Sequence, residues 1–531
     1  MSDTSKKQTF LHGAALLAMA TAAVKIIGAL YKIPLKMIIG DLGFGYFNTA
    51  YEVYSVLLMI ATAGFPVAMS RMVSEASTLG HNNRVRQTYR TARGIFVGIG
   101  VLSSLLMVVG CKFLANFQQQ PDAWFSFLCL GPCALLVGLL SSYRGFFQGQ
   151  GNMIPTSVSQ VLEAVSKLIV GLVVAWVLLK YTGSVAYAAG GAILGVTISC
   201  LISAVYLKSK FNPAYKSLPI TDEPAPAGST IVQLLAIAVP ITLGSAGLQM
   251  LTVLETRFYM GQLLAQNLTA EVAGTMKGIY NFSQTIFNMP CAFIIPITAS
   301  VLPAITSALT LKNNAGVRAT EESAARITGL LSLPCAVGLA LLATPIMGLL
   351  GGYQGNDLTL ASKLMFLLGL CVFPYGIIQY TNAVLQAHGK AFVPVINMLV
   401  AGAAKLFVVY LLAGNPDIGI LGAPIGALLC YVAIAVLNLI CIRIFVPQKP
   451  AMLRNLLRPL LPAAIMGAAV FGTLWAMSNL LHITSRVLLC GAPIAVGGVV
   501  YLVCAVVFKA ITKDDCLLLP KGDKLAKLLK L

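Results

Sequence analysis

The sequence predicts an all-α integral membrane protein of about fourteen transmembrane helices. Of its 531 residues, 58% are hydrophobic and 10% charged, and the mean hydropathy is +0.86. The apolar runs also last about 20 residues or more, the length that crosses a bilayer as a helix. A soluble fold of this length could not hide so much apolar surface, so lipid is part of its solvent. In hydrocarbon each backbone polar group needs an internal partner, and runs this long supply one as helices rather than as barrel strands.

Taken in order, spans are expected near 12–33, 46–70, 94–114, 124–142, 154–179, 184–207, 230–254, 277–300, 326–350, 359–384, 392–413, 418–441, 459–481 and 485–508. The first follows Lys6 and Lys7 as a signal peptide would. It is too long for a secretory apolar region, contains Lys25 and leads straight into further spans, so it reads as an uncleaved helix. With the N-terminus in the cytoplasm, 25 of the 36 Lys and Arg fall on the cytoplasmic side, eight outside and three within spans. That asymmetry supports the orientation and an even number of helices, with both termini cytoplasmic.

The net charge of +19 therefore reports topology. A nucleic-acid reader needs a basic soluble face, and no soluble stretch here is long enough to form one. The 12 cysteines sit mostly in apolar runs without metal or disulfide spacing. Cys129 and Cys133 share a helix face without His or acidic company, so all read as packing residues.

Two polar connections mark joints: 208–229, with Pro213, Pro219, Pro224 and Pro226, and Pro447 to Pro459, with Lys449, Arg454 and Arg458. The expected organisation is a six-helix lobe over 1–228, a second over 229–446, and two further helices with a short basic tail over 447–531. An internal repeat supports the two lobes. Gln148-Gly149-Gln150-Gly151 is followed sixteen residues after Gly151 by Lys167, and Gln386-Ala387-His388-Gly389 sixteen after Gly389 by Lys405. Pro155 and Pro394 enter the next span in each copy, and Pro66 with Ser70 echoes Pro296 with Ser300. Six helices per copy is even, so the lobes run in the same sense, related by a pseudo-twofold axis along the membrane normal.

Charge inside a bilayer is expensive, so each buried ionisable group is a candidate for function, weighed against pairing and snorkelling. Lys25 lies mid-span, too deep to snorkel easily. Lys32 and Lys36 are near the outer end, where headgroup contact is the plain alternative. Glu52 sits in the outer third of the second span, within reach of Lys25 or Lys32. Glu163 and Lys167, four apart on one helix, can neutralise each other, whereas Lys405 has Ala401 in the acid's place. Glu255 and Arg257 close the seventh span. The candidate substrate-binding set is Lys25, Lys32, Glu52, Lys167, Lys405 and Arg257, and Glu52 and Glu163 are the candidates for cation coupling. A few basic groups in an apolar cavity suit an amphiphile with an anionic head, since a lysine beside a diphosphate binds more strongly there than in water.

Other chemistry is not foreseen. The chain has no G-x-x-x-x-G-K-[ST] phosphate loop, and His12, His81, His388 and His482 are scattered, so no catalytic residue, metal site or cofactor is expected. Lys521 to Leu531, with Lys524, Lys527 and Lys530 among leucines, reads as a short interfacial helix on anionic lipid.

Several stretches carry a family resemblance: Val24-Lys25-Ile26-Ile27-Gly28, Tyr31-Lys32-Ile33-Pro34-Leu35, Ala63 to Ser70, and Tyr143-Arg144-Gly145-Phe146-Phe147-Gln148-Gly149. With these the chain resembles the stage V sporulation protein B and polysaccharide-biosynthesis branch of the multidrug, oligosaccharidyl-lipid and polysaccharide exporter superfamily. The resemblance implies a two-lobed alternating-access fold in the bacterial cytoplasmic membrane that flips undecaprenyl-diphosphate sugars, with lipid II the leading candidate. Membrane lipid and cell-wall synthesis proteins are the other partners it implies. Lys25 stands where MurJ-like flippases place a cavity-facing basic residue. The second span is apolar around Met59, so other cavity arginines of that group have no counterpart here. Two competing readings are a cation-coupled drug antiporter of the same superfamily, using Glu52 or Glu163, and a non-transporting scaffold for envelope assembly.

Overall fold

A computed structural model describes residues 3–219, 227–448, 450–483 and 485–511. Side chains are described from residue 16 onward apart from scattered positions, 295–300 among them. The interfacial helix expected over 521–531, Lys449, and the side chains of Pro296 and Ser300 thus lie outside the described residues. Among those described, all regular structure is helical.

The elements in the first part of the chain are α1 Asp3–Thr62, α2 Phe65–Thr78, α3 Asn82–Val109, α4 Cys111–Phe117, α5 Trp124–Gly149, α6 Ile154–Thr182, α7 Val185–Lys216, α8 Ala227–Ala265 and α9 Ala270–Thr310. There follow α10 Asn314–Leu341, α11 Ala343–Leu350, α12 Gly355–Ala387, α13 Phe392–Ala413, α14 Gly422–Phe445, α15 Met452–Leu457, α16 Leu460–Trp475 and α17 Arg486–Val507. Among the described residues twelve helical segments are long and apolar enough to cross a membrane. The first of these, Met19–Thr78, takes in most of the first expected span and all of the second, and α9 contains the eighth. At 60 residues α1 would be about 90 Å long, three times the hydrocarbon thickness. Gly40 breaks it, with φ 66° and ψ −177°.

The chain divides into two compact units, Met1–Asn281 and Phe282–Leu531. In the first, α6 packs on α7, α5 on α3 and α7, and α8 lies along α1 and α2. Tyr31, Phe44, Phe47, Phe96 and Phe127 are fully buried there. In the second, α12 packs on α10 and α14, and α13 on α14. Its core includes Val301, Ile305, Tyr380, Val384 and Ile434. The last two spans, α16 and α17, pair with each other and rest on α10 and α11.

The repeat is visible in the geometry of each unit. Helices α3 and α10 are both 28 residues long and each is followed, after one break residue, by a short helix, α4 or α11. The turns after α5 and α12 are the same Schellman motif. The Gly151 amide donates to the Gln148 carbonyl at 3.0 Å and Asn152 to Phe147 at 2.9 Å. Gly389 donates to Gln386 at 3.0 Å and Lys390 to Leu385 at 2.8 Å. Both glycines hold left-handed backbone, φ 77° and 72°, which explains why glycine ends both sequence motifs.

Candidate functional site

The most heavily buried charge in the first unit is Lys277, which is 0% exposed. Its Nζ donates to Thr49 Oγ1 at 2.6 Å and to Glu52 Oε2 at 3.2 Å. Thr256 Oγ1 donates to the same carboxylate oxygen at 2.9 Å, and the Thr49 hydroxyl donates to Gln120 Oε1. Glycines set this network by letting α9 approach α1. A Cβ on Gly278 would stand 1.8 Å from the Asp41 carbonyl oxygen, and one on Gly45 2.7 Å from that of Gly274. Gly274-x-x-x-Gly278 is a small-x-x-x-small face of the kind that brings membrane helices together, and it aims Lys277 at Glu52 rather than at lipid.

Four further lysines on α1 and α6 bear on the site. Lys167 of α6 reaches the ring faces of Tyr31 and Tyr51 on α1, its Nζ 5.4 and 5.5 Å from their centroids. Attraction to two ring faces offsets part of the cost of holding an ammonium in low dielectric. Lys32 is half-buried within electrostatic range of Lys167 and Glu52. Lys25 is exposed on α1. Lys36 is buried and pairs with Asp41 at 3.6 Å.

The structure revises two pairings expected from the sequence. Glu163 does not take Lys167 as its partner. Its Oε2 accepts from Arg144 Nη2 at 2.8 Å, while Arg144 Nε donates to Ser159 Oγ at 3.1 Å. The i, i+4 spacing permitted the lysine, but α5 presents a planar guanidinium at closer range and Lys167 has aromatic faces on the other side. Glu52, expected to meet Lys25 or Lys32, is paired instead with Lys277 from α9. The equivalent location in the second unit is uncharged. Asn382 and Asn397 stand 238 residues after Arg144 and Ser159. Asn438 Nδ2 donates to Asn382 Oδ1 at 2.9 Å and to Thr381 Oγ1 at 3.0 Å, and Asn397 Nδ2 donates to Asn438 Oδ1 at 2.8 Å. Lys405 is half-buried on α13 beside Gly426 of α14.

The seventh span runs beyond its expected end, because α8 continues to Ala265. Arg257 is therefore inside the helix, its guanidinium 5.7 Å from the Phe117 ring centroid. With the Gln119 amide oriented by the hydrogen-bond network, that oxygen accepts from Arg257 Nη2 at 3.0 Å. Glu255 and Thr256 beside it are buried.

Sequence reasoning thus missed Lys277, Thr49, Thr256, Gln120 and Arg144. The span expected near 277–300 leaves Lys277 at its outer edge, whereas α9 begins at Ala270, two turns earlier. The flanking Gly274 and Gly278 were the available signal. No comparable signal exists for Thr49 or Gln120, which acquire a role only when α1 and α9 meet. Among the described residues no three His, Cys, Asp or Glu side chains converge as a metal site.

Residues 10–309 match the family described as "Polysaccharide biosynthesis protein". Among curated relatives, the Stage V sporulation protein B of Bacillus subtilis (strain 168) is 26% identical, over 81% of this chain and 83% of its own. The Lipid II flippase MurJ of the same organism is 22% identical, over 93% and 94%. Among solved structures, the inward closed conformation of Lipid II flippase MurJ superposes with a TM-score of 0.70 at 15% identity, covering 93% of this chain and 98% of that one. An inward-facing multidrug resistance MATE family transporter of the MOP superfamily gives a TM-score of 0.65 at 14% identity, over 80% and 97%. The fold is accordingly the multi-pass, all-α membrane architecture of that superfamily, with two lobes.

Proposed function

Because the chain belongs to the polysaccharide biosynthesis protein family, we propose that it is an alternating-access flippase for an undecaprenyl-diphosphate-linked saccharide, lipid II or a related cell-envelope precursor, in the bacterial cytoplasmic membrane. The observation that carries this reading is the charge balance inside the first unit. Lys32, Lys167 and Lys277 are gathered near Glu52 within apolar helices, and among the described residues the buried acids of this unit are fewer than its buried basic groups. An interior with a surplus of cations fits a diphosphate head, which would form charge-assisted contacts there while its polyprenyl tail stayed in lipid. Lys25, Lys405 and Arg257 are assigned to the same path on position alone. Curated relatives named for lipid II flipping and for spore formation support the substrate class.

Alternating access follows from the repeat. On the division into lobes 1–228 and 229–446, with 447–531 outside them, α1 belongs to the first lobe and α8 and α9 to the second. The Glu52–Lys277 pair with Thr49 and Thr256 then ties the lobes together at the outer end. Opening that end would hydrate both charges as they part, and regained hydration offsets much of the lost attraction. The antiporter reading is less well supported, because both acids it would use, Glu52 and Glu163, carry basic partners at 3.2 and 2.8 Å.

The test is transbilayer movement of a fluorescent undecaprenyl-diphosphate saccharide in vesicles containing the purified full chain, read by a membrane-impermeant quencher. Movement above that of protein-free vesicles is expected. Movement equal to protein-free vesicles, with export of a cationic dye instead, would transfer the assignment to the antiporter.

A further inference from the structure

The second unit carries a groove of about 590 Å³ between the end of α14 and the start of α15. Its walls are the apolar Val436, Leu439 and Ile440 on one side and Leu453 on the other, with Arg443 and Arg454 facing it from the two helices and no acid among the lining residues. Among the described residues neither guanidinium is in an ion pair. Val436, Ile440 and Leu453 are about half exposed, at 49, 50 and 58%, so in a membrane protein the groove opens towards lipid.

The wall formed by α15 is held rigidly. Glu322 Oε1 accepts the Ala451 amide at 3.0 Å and Arg318 Nε at 2.9 Å, which fixes the connector to α10. Arg326 Nη1 donates to Asn455 Oδ1 at 3.2 Å, and the Leu456 carbonyl lies against Gly329, where a Cβ would stand 2.3 Å away. Met452, Asn455 and Leu456 are thereby buried, and the opposite side of this short helix, with Leu453 and Arg454, is left outward. Acids near the connector are engaged on the α10 side, so the groove keeps both positive charges.

We infer that this groove is a binding site for an anionic phospholipid of the surrounding leaflet, its phosphate between Arg443 and Arg454 and its acyl chains along Val436, Ile440 and Leu453. A phosphate ester matches the two guanidiniums, and the apolar, lipid-open walls match acyl chain rather than a soluble anion. The turns at 311–313 and 388–390 lie at the end that the charge asymmetry places in the cytoplasm, and the α14–α15 connector lies there too, so the leaflet is the inner one. The site is independent of the transport reading.

The full chain, purified in phosphatidylcholine micelles and titrated with phosphatidylglycerol, is examined by native mass spectrometry for retained lipid. Wild type is expected to retain phosphatidylglycerol in clear preference to phosphatidylcholine. Arg443→Gln and Arg454→Gln should each weaken that preference about fivefold, the effect of one basic residue at an anionic lipid surface. Arg443→Lys with Arg454→Lys should keep most of it. Leu453→Asp, which leaves both arginines in place, should abolish it, so loss need not rest on the arginine variants alone. Lys208→Gln with Lys210→Gln, which removes two exposed cations of α7, should have no effect. Retention unchanged in the double glutamine variant, equal loss in the α7 control, or equal binding of phosphatidylcholine would overturn the inference. So would dependence on the two arginines shown only by undecaprenyl diphosphate.

Discussion

Removing either half of the Glu52–Lys277 pair should be costly, and removing both halves much less so. At 3.2 Å two unit charges attract by about 5 kcal/mol at an effective dielectric near 20, an attraction largely spent on desolvating them. Glu52→Gln leaves a fully buried ammonium with neutral acceptors in place of its counter-charge, and losing one charged partner of a buried pair costs about 3–5 kcal/mol. Lys277→Met leaves Glu52, whose side chain is 15% exposed and still accepts from Thr256, so the cost should lie at or below the bottom of that range. Glu52→Gln with Lys277→Met should return to within about 1 kcal/mol of wild type, because neither charge is then stranded. Unfolding of the detergent-solubilised chain by rising dodecyl sulfate, followed by tryptophan fluorescence, supplies the four corners of this double-mutant cycle. Costs of the single changes that add within about 0.5 kcal/mol would refute the coupling, and with it the claim that this pair binds α9 to α1.

Other consequences can be checked alongside. Gly278→Ala should lower the melting midpoint by the equivalent of about 1–3 kcal/mol or more, since backbone lies where the methyl must go; Gly28→Ala, with nothing within 4 Å, should leave it unchanged. Lys25→Ala should abolish flipping at normal protein level and Lys25→Arg retain part of it, measured in the vesicle assay; wild-type rates in the alanine variant would remove Lys25 from the path. Reporters fused after Arg71, Lys216 or Lys312 should report cytoplasm and those within 118–122 or 353–357 the outside, and an inversion at any one of them would break the helix count.

Hydropathy and charge in the sequence were enough to determine the all-helical membrane class, the order of the spans and the repeat. Each follows from local constraints: a helix in lipid must be apolar for about 20 residues, and a Schellman turn needs a residue that tolerates left-handed backbone, as Gly151 and Gly389 do. Lys25, Lys32, Lys167 and Glu52 could be picked out for the same reason, since a charge in an apolar run is conspicuous whatever surrounds it. Their partners could not. Glu163 had a lysine four residues away and took Arg144 from another helix; Glu52 had two lysines on its own stretch of chain and took Lys277 from 225 residues away. Lys167 found two tyrosine faces. Which cation meets which acid depends on how closely helices cross, and that was decided by glycines such as Gly45, Gly274 and Gly278, whose missing side chains matter only once two helices are brought together.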